Sequence, residues 1–146
     1  MDRKILIASA LVVAFFLGVT VTFGLMSYSR RIESEAELKG VGISIYAYAN
    51  KSSPVSAIKW GLMEPGESRV FDCFVFNEGN SPLTLSMVVE NWVPENASGQ
   101  MSLTWTYAGE QLDVRGYIPV VFVLTLNPSI SGLDSFGFTI VVTGSG

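Results

Sequence analysis

The chain has 146 residues, a net charge of −4 at pH 7, one cysteine and no histidine. Without imidazole, the Ser-His-Asp and Cys-His arrangements and nearly all catalytic zinc sites lose their base or ligand. A single thiol allows no intrachain disulfide, and an acidic balance repels phosphate, which disfavours nucleic-acid partners.

The run from Ile5 to Ser29 has no charged residue, with Arg3 and Lys4 before it and Arg30 and Arg31 behind it. At about 1.5 Å per helical residue, Ile5 to Met26 would span roughly 30 Å, the thickness of a bilayer's hydrocarbon layer. Residues 1–29 are therefore expected to form an N-terminal transmembrane signal-anchor helix, making the lipid bilayer the first partner. A cleaved secretory signal has an apolar stretch of only about 7 to 15 residues, so retention is the stronger reading; Ser27-Tyr28-Ser29 carries the alternative of cleavage after Ser29. Bases on the two sides nearly balance, and the positive-inside rule does not set the orientation. Ala10, Ala14, Gly18 and Thr22 recur every fourth residue, a stripe of small side chains that would let a second helix approach and so allow self-association.

Residues 30–40 are charged, with Glu33, Glu35, Glu37 and Lys39 around Ile32, Ala36 and Leu38. Helix formers of this kind are expected to extend the helix as a stalk until Gly40 and Gly42 interrupt it. From Val41 to Gly146 the period becomes two: Ile43, Ile45 and Ala47 alternate with Ser44, Tyr46 and Tyr48, and Leu103, Trp105 and Tyr107 with Ser102, Thr104 and Thr106. That pattern marks strands with one buried face. Seven runs fit it, near Val41–Tyr48, Val55–Leu62, Arg69–Asn77, Leu83–Glu90, Ser102–Tyr107, Ile118–Leu126 and Phe136–Thr143. Turn chemistry separates them, notably Glu64-Pro65-Gly66-Glu67-Ser68 and Asn77-Glu78-Gly79-Asn80. The spacing predicts an antiparallel β-sandwich. Val70–Phe76 and Val120–Val123 are apolar at nearly every position, which fits either central strands covered on both faces or a sheet face that meets a partner.

Within this body, Cys73 lies among apolar neighbours and is expected as a buried thiol acting as a small hydrophobe. Asp72 beside it would need a cationic partner if buried, with Arg69, Lys59 and Arg115 as candidates, or else would be an inward charge guarding an edge strand. The acids show no calcium-loop spacing and no catalytic pairing. Most aromatic rings are expected in the core; Trp92, in Asn91-Trp92-Val93-Pro94 after a strand, is the candidate partner contact or sugar platform on a loop. Asn50-Lys51-Ser52 and Asn96-Ala97-Ser98 match the N-glycosylation pattern, making Asn50 and Asn96 the candidate acceptors on an exported body.

A Pro-Gly-acidic-Ser turn at Pro65–Ser68, leading into a strand that ends in Asn77-Glu78-Gly79-Asn80, resembles secreted or membrane-tethered immunoglobulin-like sandwiches, including camelysin-type fibre proteins and archaeal surface proteins. The resemblance covers about Trp60 to Leu85 and the general strand order, and rests on turn chemistry rather than on a site. It implies an immunoglobulin-like antiparallel β-sandwich of about seven strands and, in the fibre proteins, assembly by strand exchange after signal removal; the long apolar segment here departs from that. One N-terminal helix before a β-sandwich is also similar to archaeal archaellum-stator and pilin-like proteins. Lys4 passes directly to Ile5, without the small residue that pilin-type processing uses.

The sequence thus leads to the expectation of a single-pass protein of the cell membrane: an anchor at 1–29, a charged stalk at 30–40, and an extracytoplasmic sandwich at 41–146. It would act as a structural or protein-binding module of the envelope, partnered by the bilayer and by envelope proteins or itself. No enzyme activity, cofactor or metal site is expected. The alternatives are a subunit of a filament built by strand addition and a small carbohydrate-binding domain using Trp92.

Overall fold

The computed structural model describes residues 31–146, and the expected membrane helix lies outside them. The described residues form one compact unit with eight strands: β1 (Ile32–Val41), β2 (Ser44–Tyr46), β3 (Ala57–Met63), β4 (Ser68–Phe76), β5 (Thr84–Val93), β6 (Met101–Trp105), β7 (Tyr117–Leu126) and β8 (Ser135–Ser145). The fold is mainly β. A first sheet has the order β3-β1-β8-β5 and a second the order β2-β4-β7-β6. Their inner faces contribute to one core, in which Ile32, Ile58, Phe138 and Ile140 of the first sheet join Val75, Val120, Phe122 and Leu124 of the second. The arrangement is sandwich-like.

The expected stalk is corrected by β1. Residues 32–41 are a strand in the middle of the first sheet, paired antiparallel with β3 and parallel with β8. Ile32, Ser34, Ala36 and Leu38 are buried, while Glu33, Glu35, Glu37 and Lys39 are exposed. Good helix formers thus yield to two neighbouring strands that satisfy the backbone on both sides, as tertiary context overrides propensity. The compact body begins at Arg31 rather than Val41 and has eight strands rather than seven. The pairing is also not wholly antiparallel, because first and last strands run together over nine residue pairs from Glu33↔Ser135 to Val41↔Thr143.

The other seven expected strands are present, with shifted ends. The run from Val41 narrows to β2, since Gly42 takes φ +75° and turns the chain from one sheet to the other. Between β3 and β4 the Glu64–Glu67 turn closes with Glu67 N–H donating to the Glu64 carbonyl at 3.0 Å, and Gly66 has φ +83°. Pro at the second and Gly at the third position give this reversal the chemistry of a type II turn.

Candidate interaction surface

The two sheets differ in how much charge they turn outward. On the first sheet, β1 presents Glu33, Glu35, Glu37 and Lys39, β3 adds Lys59, and β5 adds Glu90. Lys59 pairs with Glu35 at 3.4 Å, an exposed bridge. This face is densely charged and net acidic, with Val41, Leu62 and Val88 exposed between the charges.

The second sheet is different. In β4, Cys73 and Val75 point inward, so Val70, Asp72, Phe74 and Phe76 point outward. In β7, Val120, Phe122, Leu124 and Leu126 fill the core, leaving Tyr117, Pro119, Val121 and Val123 outside. Register brings these sets side by side: Val70↔Val123, Asp72↔Val121, Phe74↔Pro119 and Phe76↔Tyr117. Tyr46 of β2 stands beside Phe74. At one end the rings interlock, with Phe76 and Tyr117 stacked at 4.9 Å, Tyr46 edge-on to Phe76 at 5.4 Å and Phe74 edge-on to Tyr117 at 5.8 Å. Phe76 is buried beneath them, whereas Val70 is 64% and Tyr117 51% exposed. Of the two sequence readings for Val70–Phe76, the structure supports an open face over most of the run: β4 and β7 are central strands whose outward Val70, Asp72 and Pro119 are exposed, while Tyr46, Tyr117 and Lys51 cover Phe76.

Charge on this face is sparse. Asp72 is exposed among apolar neighbours, on a central strand, so neither the buried pair nor the inward edge guard describes it. Lys51 supplies the cation: its Nζ lies 5.0 Å from the Phe76 ring centroid and 3.1 Å from Glu78 Oε1. The loop before it is set by Asn50, whose Oδ1 accepts from the Ser52 N–H at 3.0 Å and hydroxyl at 2.7 Å. That Asx turn carries Lys51 at φ +64°.

Trp92 does not sit on a loop. It is the penultimate residue of β5, at a register break between Glu90 and Val93 where Asn91 takes φ +57°. Its ring is half-buried and packs against Phe138 at 4.7 Å. Asn91, Trp92, Val93, Glu95 and Ser98 line an open cleft of about 540 Å³. Asn96 lies nearby in a single 3-10 turn, Glu95–Ala97; both Asn96 and Asn50 are exposed, on opposite sides of the sequence from β4. Trp92 and Asn96 therefore belong to one end of β5, while Asn50 borders the apolar face.

The open edges are unequally guarded. Along β2, Val55 N–H donates to the Ile45 carbonyl at 3.0 Å. On β3, Arg69 takes the carbonyls of Trp60 and Leu62. The start of β5 is bridged by Leu83↔Leu112 and by the Tyr107 hydroxyl, which accepts from Leu85 N–H at 3.0 Å. Gln100 and Thr106 at the ends of β6 bond toward β7, so by alternation Met101, Leu103 and Trp105 point their backbone groups away from it. Those groups have no backbone partner among the described residues.

The motif residues are scaffolding. Asn77 is buried; its Nδ2 donates to the carbonyls of Ser81 at 2.9 Å and Leu112 at 3.2 Å, and its Oδ1 accepts from Gly79 N–H at 2.9 Å. Cys73 is a buried free thiol, pushed up to about 12 by burial and then by the neighbouring Asp72 carboxylate. Among the described residues no group of His, Cys, Asp or Glu is arranged to hold a metal ion, and no helix is long and apolar enough to cross a membrane. No protein-family model matches the chain, and no curated protein does either.

Proposed function

We propose that the protein is a single-pass, membrane-anchored module of the cell envelope whose extracytoplasmic domain is an immunoglobulin-like sandwich that binds protein through the outer face of its second sheet. The observation that carries the binding role is the outward face of β4 and β7, apolar around Val70, Phe74, Tyr117 and Val123 with Asp72 as its one charge, whereas the other sheet spaces Val41, Leu62 and Val88 among carboxylates and lysines. Open apolar patches of this kind are characteristic of contact surfaces. The immunoglobulin-like reading draws support from two four-stranded sheets sharing one core, with the first and last strands paired at the centre of one of them. The anchor reading draws support from the uncharged run Ile5–Ser29. No catalytic role is proposed.

Protease treatment of intact cells and of lysed cells tests the topology. The domain should be cut from outside in intact cells, and the remaining chain should need detergent for extraction. Protection until lysis, or a full-length chain that stays in the aqueous fraction, would overturn the reading. Filament assembly by strand addition is the second reading, favoured by the unpartnered outward groups of β6; regular fibres of the full chain by electron microscopy would establish it.

A further inference from the structure

We infer that the partner seated on the apolar face is a second copy of this chain, packed sheet on sheet about a two-fold axis through Phe74. The inference rests on reading that face as a contact surface, and names its occupant. A two-fold lying in the plane of the face, across the strands, returns β4 onto β4 and β7 onto β7 of the second copy. The position of the axis follows from charge. An axis at Asp72 would set two carboxylates against each other. An axis at Phe74 sets each Asp72, two residues to one side, opposite Phe76 of the other copy, two residues to the other side. Phe76 is where Lys51 stands, 5.0 Å from the ring centroid. One of the three ammonium donors of Lys51 serves Glu78; the remaining donors can meet the incoming Asp72. The face is therefore self-complementary, with its lone central anion and its cation exchanged by the same rotation.

Size fits a reversible contact. The β4–β7 ladder runs nine pairs, about 30 Å at roughly 3.3 Å per residue, and three strands at about 4.8 Å spacing give a width near 15 Å. Two copies then bury at most about 900 Å² in plan, close to the lower bound of roughly 1,000 Å² for specific interfaces. Such a dimer depends on concentration, and confinement to a bilayer would favour it.

Thiol cross-linking of the full chain in its own membranes with a short bismaleimide tests this. Pro119 stands opposite Phe74 in register and is exposed, so Pro119→Cys should lie on the axis, with the two thiols across sheets packed about 10 Å apart, and give a cross-linked dimer. Val123 is four residues further along β7, so Val123→Cys should put the two thiols about 26 Å apart and give none. In the Pro119→Cys chain, Asp72→Lys or Lys51→Glu should each lower the dimer yield about tenfold, as two symmetry-related pairs are lost. The double reversal should restore it to within about threefold. Equal cross-linking at 119 and 123, single reversals without effect, or a double reversal that fails to restore the dimer would overturn the inference. Cross-linking from 119 only to other proteins would overturn the dimer while leaving the binding-module reading intact; no cross-link of any kind from 119 would remove both.

Discussion

Arg69 Nε lies 2.6 Å from Oε2 of Glu67, and this short pair ties the turn before β4 to the edge of the opposite sheet. The same guanidinium donates to the carbonyls of Trp60 at 2.7 Å and Leu62 at 2.8 Å. Those carbonyls become available because β3 is bulged: Ser34 pairs with Gly61 and Glu35 with Lys59, leaving Trp60 extra, with Gly61 at φ +83°. Arg69→Ala should cost about 1–3 kcal/mol, since charge-assisted bonds to two strained-edge carbonyls are lost together. Urea unfolding followed by tryptophan fluorescence measures it. Arg69→Lys should recover less than half, because a single ammonium cannot span the carboxylate and both carbonyls.

Glu67 gives this clasp a pH dependence. Its carboxyl is held below the ordinary value of 4.5 by the Glu64 backbone N–H first and by Arg69 second. A depressed folded value means that the unfolded chain takes up the proton first, so the stabilisation is present above that ordinary value and is lost as pH falls through the folded one. The urea midpoint of the wild type should therefore fall more steeply below pH 4.5 than that of Glu67→Gln. Equal slopes would show that the pair does not contribute.

Much of this was written in the strand periodicity, and the exceptions have physical causes. Residues 32–41 alternate Ile, Ser, Ala and Leu with Glu and Lys, but the same residues are strong helix formers next to a long apolar run. Only β3 and β8 on either side show which preference wins. The Val70–Phe76 run was readable as unusual, yet whether a layer covers it is a question of topology. Trp92 lies in β5 and not on a loop because Asn91 at φ +57° continues the strand through a bulge instead of ending it. Lys51 over Phe76 joins residues far apart in sequence through an Asx turn, and no local pattern announces it.

Asn77 should be among the least replaceable polar residues. It is 1% exposed and uses both ends of its amide, joining the Ser81 and Leu112 carbonyls to the Gly79 N–H. Asn77→Asp keeps the shape but faces a carboxylate to two carbonyls, and should destabilise by about 2–4 kcal/mol at neutral pH. Thermal unfolding at pH 7 checks the size of the loss. A change under about 0.5 kcal/mol would mean that those donors are dispensable.

Trp92 separates a structural ring from a ligand platform. Its packing on Phe138 predicts that Trp92→Ala loses about 2–3 kcal/mol, less than a fully buried ring because one side faces the cleft. Trp92→Phe should recover most of that loss. If the ring instead serves a sugar, Trp92→Ala will leave the urea midpoint unchanged while abolishing binding to immobilised glycans.

Cys73 decides whether thiol chemistry can be added to this domain cleanly. The side chain is 1% exposed, and burial together with Asp72 pushes its thiol up to about 12, so almost none is thiolate at pH 8. A colorimetric thiol reagent should find no reactive group in the native protein and one equivalent in urea. Rapid labelling under native conditions would mean that β4 opens locally. Cys73→Ser should cost about 1–3 kcal/mol, because it buries a hydroxyl opposite Val120 where the thiol acts as a small hydrophobe. Cys73→Ala leaves only a small void and should cost about 1 kcal/mol, which makes alanine the replacement to use wherever a fully cysteine-free background is needed.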